Sequence, residues 1–179
     1  KFHDIPITMS RACYQAGKTG ADLITVHACA GKNAIKDSVT SSREGAFASG
    51  FSPPTLLAVT VLTSWETNAL SQELFINQSI EQRVRLLAAL SKEAGVGGCV
   101  CSPLEVHSLR TLFPHPFELV TPGIRNKENE IDDDQERVMS ASEAINAGAS
   151  RIVVGRPITK SDDPIGKFKL FCDQLEEIT

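Results

Sequence analysis

Thr55-Leu-Leu-Ala-Val-Thr-Val-Leu62 decides the fold. It is β-branched and almost continuously apolar, too short for a buried helix, and it follows Pro53 and Pro54, which break whatever precedes it. A strand of that kind has both faces covered, and such strands belong to parallel sheets with helices packed on each side. It runs into Thr63-Ser64, two hydroxyls at its C-terminal end. The same alternation extends in both directions. Upstream, Pro6 suits a first helical turn and Gly20 a stop, Asp22 to Ala28 reads as a buried strand, and a helix follows around Ala34 to Ala46. Downstream, Ser79 and Gln82 form a capping-box pattern ahead of Ile80, Val84, Leu87 and Ala88 on one helical face, and Gly95 ends that helix. Gly98 to Ser102 is a short strand, and Pro103 starts a helix towards Leu112. Phe117 to Thr121 is a strand, Ser140 to Ala147 a helix, and Arg151 to Gly155 the last strand. Asp163-Pro164 caps a terminal helix whose apolar stripe is Ile165, Phe168, Cys172, Leu175 and Ile178.

Strands alternating with helices imply right-handed crossovers in a parallel sheet. Five whole strands are legible, plus the end of a sixth at Lys1. A (β/α)8 TIM barrel needs eight strands and about 250 residues, so two N-terminal strands, roughly 60 residues, are expected to be missing from this chain if it is one. The whole of residues 1–179 is then one β/α-barrel domain, from about the end of the third strand to the C-terminal helix. An open doubly wound sheet is the architectural alternative, although neither Gly-x-Gly-x-x-Gly nor a Walker loop is present to give it a nucleotide turn.

Composition narrows the function. A net charge of −4 with scattered Lys and Arg argues against nucleic acid as a partner. No apolar run reaches the 18 or so residues of a membrane span and no signal segment opens the chain, so a cytoplasmic protein is expected. Five cysteines without framework spacing read as reduced thiols. Cys99 and Cys101 form C-x-C inside an apolar run, and His27 and Cys29 are also two apart; core packing accounts for the C-x-C better than zinc does. His3, His27, His107 and His115 share no ligand spacing, and His27 reads as a strand-end or core histidine. Asp132-Asp133-Asp134 reads as a solvated loop in preference to a metal site.

In β/α barrels the chemistry collects at the C-terminal ends of strands, and phosphate is often held after the last two. Those places carry Gly123-Ile124-Arg125 with Gln135, and Gly155-Arg156. Glycine lets the backbone approach an oxyanion, and arginine offers a planar donor fork that suits phosphate. Residues 126–135 are the candidate lid. Lys1 and Asp4, by spacing alone, read as a surface ion pair.

KFHDIPITM (1–9), DLITVHACAG (22–31), LLAVTVLTS (56–64), VCSPLE (100–105), LVTPGIR (119–125), DDQERV (133–138) and RIVVGRPIT (151–159), in this order, resemble the orotidine 5′-phosphate decarboxylase family from Lys1 to about Pro164. The resemblance implies a cofactor-free, metal-free enzyme of pyrimidine biosynthesis that converts orotidine 5′-phosphate to UMP and CO2. It also implies a homodimer with shared active sites. Lys1 then matches the family's proton-donating lysine and Asp4 an aspartate supplied to the partner's site. Ile5 and Thr8 match the same shared segment, Thr63 a hydroxyl near the base or ribose, and Pro122, Gly123, Arg125, Gln135, Gly155 and Arg156 substrate-binding positions on the phosphate side. The first aspartate of the family's Asp-x-Lys-x-x-Asp signature would stand two positions before Lys1, and the family's earlier Asp and Lys are likewise absent. Two alternatives stay open. One is a Mg2+-dependent decarboxylase of the same superfamily, acting on a sugar phosphate such as 3-keto-gulonate 6-phosphate; the other is a non-catalytic fragment.

Overall fold

The computed structural model describes residues 1–125 and 137–176. In chain order the elements are α1 (Pro6–Gly17), β1 (Leu23–His27), α2 (Lys32–Ala48), β2 (Thr55–Val59), α3 (Thr67–Leu74), α4 (Ile80–Glu93), β3 (Gly98–Val100), α5 (Val106–Leu112), β4 (Glu118–Thr121), α6 (Ala141–Asn146), β5 (Arg151–Ile152), α7 (Arg156–Thr159) and α8 (Pro164–Glu176). They fall into two compact units: residues 1–61 with 77–100, and residues 62–76 with those from 101 onward.

In the first unit β1, β2 and β3 pair in chain order, all parallel, with Leu23 opposite Thr55 and Leu57 opposite Gly98. The sixth strand end anticipated at Lys1 is present as an isolated parallel bridge between Phe2 and Val26. Each strand therefore adds beside its predecessor without reversal, the winding of a barrel, whereas a doubly wound sheet reverses at a switch point. In the second unit β4 and β5 pair in parallel, Val120 opposite Arg151. Among the described residues no helix is long and apolar enough to cross a membrane.

Sequence and structure agree where the signal is local. Pro6 stands in the first turn of α1. The Ser79 hydroxyl accepts from the Gln82 N–H at 3.2 Å while the Gln82 side chain accepts from the Ser79 N–H at 3.1 Å, and Val84, Leu87 and Ala88 are buried. Cys99 and Cys101 are core residues. Asp163 caps α8, its Oδ1 accepting from the Gly166 N–H at 2.9 Å.

Three expectations need correction. The strand from Thr55 stops at Val59, and that from Arg151 at Ile152, because the ladder ends where partners end; Leu62 and Val153 are exposed. Residues 67–74, for which nothing was anticipated, form α3, docked by buried Leu70. The stripe of α8 is misplaced: Ile165 and Phe168 are 71% and 57% exposed, and Phe171 is the buried anchor. α8 carries apolar residues around much of its circumference, and packing against α6 and α7 selects the Phe171 side, with Cys172 and Leu175 half-buried. Ile178 lies outside the described residues.

Two contacts fix the units internally. α1 and α2 approach until backbone touches backbone: a Cβ on Gly45 would stand 2.0 Å from the Tyr14 carbonyl oxygen, and one on Gly17 2.1 Å from that of Ser42. The Ser10 and Ser41 hydroxyls hydrogen-bond across the same seam at 2.6 Å. In the second unit Arg137 and Glu105 form an ion pair with side chains only 14% and 6% exposed. The other Glu105 oxygen accepts from the Ser102 N–H at 2.8 Å, and Arg137 Nη2 donates to the Leu62 carbonyl at 3.0 Å.

Gly45→Ala should lower stability by about 2 kcal/mol in urea unfolding, because overpacking against an immovable carbonyl outweighs the gain in helix propensity. Equal or greater stability in the variant would refute the close approach. Arg137→Met should cost about 3–5 kcal/mol by stranding the Glu105 carboxylate, and Glu105→Gln with Arg137→Met together should recover part of that loss. A strictly additive double variant would mean that the two side chains do not interact.

Candidate active site

The first unit carries Lys1, Asp4, Ile5 and Thr8 on one continuous segment. The Phe2 N–H donates to the Thr25 carbonyl at 3.0 Å and the His27 N–H donates to the Phe2 carbonyl at 2.8 Å. These two bonds hold the extended segment level with the C-terminal end of β1. Alternation then puts Lys1 and His3 on the face opposite Phe2. Asp4 follows at the turn into α1, its Oδ1 accepting from the Ile5 N–H at 2.7 Å. Lys1, Asp4, Ile5 and Thr8 are all exposed.

Beside Lys1 stand two histidines. The rings of His3 and His27 have centroids 5.1 Å apart, and Cys29 Sγ is 3.7 Å from His3 Nε2. Burial pushes the His27 pKa down, and the proximity of His3 and Lys1 adds to the effect. Both causes favour the neutral form of His27. It is the half-buried strand-end histidine that the sequence implied.

The second unit carries Thr63, Pro122, Gly123, Arg125, Gly155 and Arg156. Thr63 is a buried hydroxyl, 8% exposed, in the turn that follows Val61 and Leu62. Gly123 has φ 78°, a left-handed conformation that explains its identity. Its carbonyl accepts from the Met139 N–H at 3.1 Å, and the Arg125 N–H donates to the Met139 carbonyl at 3.0 Å. Gly123 and Arg125 are thus tied to Met139. Arg125 Nη1 donates to the Ile124 carbonyl at 2.8 Å. Gly155 stands immediately before α7, and Arg156 is its first residue. Among the described residues, its chain neighbours aside, nothing lies within 4 Å of where a Gly155 Cβ would stand, so the space beside the helix start is open. Gln135 and the candidate lid, 126–135, lie outside the described residues.

Some partners were not anticipated. Arg137 leaves no trace in local sequence, although Ser102 and Glu105 spell a second S-x-x-E capping box, which the structure completes. The grouping of His3 with His27 was invisible because its members lie on separate strands. Arg110 is another hub: Nε donates to the Gly148 carbonyl at 2.9 Å, Nη1 to the carbonyls of Phe113 and Phe117 at 2.9 and 2.7 Å, and Nη2 to the Ser150 hydroxyl at 2.8 Å.

Comparison with known proteins shows the family. The profile of the "Orotidine 5'-phosphate decarboxylase / HUMPS family" matches residues 1–171. A protein of Prochlorococcus marinus named orotidine 5′-phosphate decarboxylase is 58% identical over 175 residues, 98% of this chain and 72% of the relative. One of the same name from Parasynechococcus marenigrum is 60% identical over 98% of this chain and 71% of its own. The crystal structure of orotidine 5′-phosphate decarboxylase from Lactobacillus acidophilus superposes with a TM-score of 0.83 at 35% identity, covering 97% of this chain and 72% of that one. The fold is accordingly the TIM-barrel fold of those enzymes, and this chain spans about 72% of the length of the first relative. From the ordered motifs, the matching profile, the sequence relatives and the shared fold together, the chain belongs to the orotidine 5′-phosphate decarboxylase family.

Proposed function

We propose that the chain decarboxylates orotidine 5′-phosphate to UMP and CO2, with Lys1 as the acid and no metal or cofactor. The observation that carries this reading is the backbone clamp on Phe2, which holds Lys1 at a strand's C-terminal end, where barrels keep their chemistry. The C6–carboxylate bond breaks with its electron pair left on C6, CO2 departs, and a proton from the Lys1 ammonium completes C6–H. The carbanion has little π delocalisation. A pre-positioned cation beside C6 therefore supplies what water supplies poorly, stabilisation of charge as it develops. Asp4 is the carboxylate proposed to serve the site of a second copy, opposite that copy's lysine.

The phosphate is remote from the reacting carbon, and its binding energy serves to position the base. Arg125 and Arg156, with Gly123 and Gly155 beside them, are the proposed phosphate grip, completed by Gln135. Pro122 shapes that turn and Thr63 offers its hydroxyl to the base or ribose. The names borne by the relatives support the nucleotide substrate over a sugar phosphate.

A homodimer is part of the proposal. Ile5 and Ile7 at the start of α1 are 63% and 55% exposed, and Asp4 and Thr8 beside them are also exposed. That surface suits a second copy, to whose site Asp4, Ile5 and Thr8 would contribute. The cytoplasm is the proposed compartment.

Turnover of orotidine 5′-phosphate, followed by absorbance on a sample of known intact mass, should survive EDTA and fall at least about 10³-fold in Lys1→Ala. Arg156→Ala should raise KM more than it lowers kcat. Activity abolished by EDTA and restored by Mg2+ would sink the metal-free mechanism in favour of a sugar-phosphate enzyme, and an inert chain of confirmed 19.3 kDa mass would make this species a non-catalytic fragment.

A further inference from the structure

We propose that His3, His27 and Cys29 form a three-ligand site for a thiophilic divalent cation of the zinc class, at the strand end that carries Lys1. Their donor atoms all lie within 4.8 Å of one another, the one such grouping of three or more among the described residues. Zn–S and Zn–N bonds of about 2.3 and 2.0–2.1 Å, set tetrahedrally, put ligand atoms roughly 3.3–3.6 Å apart. The 3.7 Å between Cys29 Sγ and His3 Nε2 is nearly that edge already. The remaining separations close with side-chain adjustments on the order of 1 Å, well within rotamer relaxation.

Backbone, not chance side-chain drift, brings the three together. The Phe2 clamp aligns His3 with His27 in parallel register, and the 3-10 turn Ala28–Ala30, which directly follows β1, returns Cys29 to the same end. His27 is half-buried against the strand end, while His3 and Cys29 are exposed and open to an incoming ion. Two imidazoles and a thiol are borderline-to-soft donors, which favours zinc over magnesium, and no carboxylate belongs to the group. Three protein ligands leave a fourth position for water. On binding, the Cys29 thiol loses its proton to solvent and the thiolate takes the metal. The proposal does not depend on the decarboxylase reading.

The test is a Co2+ titration of the metal-free chain near pH 7.5, followed by competition with Zn2+. Wild type should develop tetrahedral d–d absorption with near-ultraviolet thiolate-to-cobalt charge transfer, and Zn2+ should displace both. Cys29→Ser, a surface change that leaves the core intact, should abolish the charge transfer and weaken binding by at least about tenfold. His3→Ala should do likewise for affinity, with circular dichroism confirming the fold of each variant. Absence of these bands in wild type overturns the site. So does a spectrum that persists in Cys29→Ser, since the metal would then sit on another of the five cysteines.

Discussion

Two backbone hydrogen bonds, from Phe2 N–H to Thr25 and from His27 N–H to Phe2, govern the candidate chemistry. A lysine ammonium on four rotatable bonds is a poor electrostatic catalyst unless its Cα is immobile, because reorganisation costs cancel the benefit of the charge. Here the flanking peptide is part of a parallel ladder that continues through β1, β2 and β3. The apolar run from Thr55 therefore matters to Lys1 although it never touches it: it gives β1 the neighbour that keeps the ladder in register. Buried Leu57 and Val26 lock that register, since a slip of one residue would turn them to the opposite face.

The features legible in the sequence are those encoded within a few residues. Proline at the start of α1, the Ser79 box and the Asp163 cap are local hydrogen-bonding patterns, and they fold as written. The long apolar strand also announced itself, but its end did not. Where β2 stops depends on where Val100 still offers a carbonyl, which Thr60 takes up through both its N–H and its hydroxyl. α8 shows the limit of periodicity. With apolar residues on several faces, the choice of Phe171 over Phe168 belongs to the neighbouring helices.

The site was legible in part for the same reason. Glycine beside arginine at a strand end is a local pattern, so Gly123, Arg125, Gly155 and Arg156 could be singled out, whereas their roles rest on family resemblance. Nothing near Arg137 says that its partner is Glu105, 32 positions away. That pair nonetheless bears on the site. Arg137 lies just beyond the segment 126–136, and its guanidinium reaches the Leu62 carbonyl, one residue before Thr63. A residue on the exit of the proposed lid is thereby joined to the peptide that positions the proposed sugar or base contact.

The glycine seam between α1 and α2 gives the first helix the character of a strut. Gly17 is pinned against the Ser42 carbonyl near one end, and Asp4, Ile5 and Thr8 occupy the other. Thr8 and Gly17 stand nine positions apart on the α-helix, about 14 Å of stiff rod. A helix so held cannot absorb a displacement locally. A side chain forced into the seam would shift the far end of the rod, and the surface proposed to receive a second copy would move with it. Substitutions at the buried Gly17 and Gly45 would then register as altered pairing in the proposed dimer, with mechanical leverage as the link.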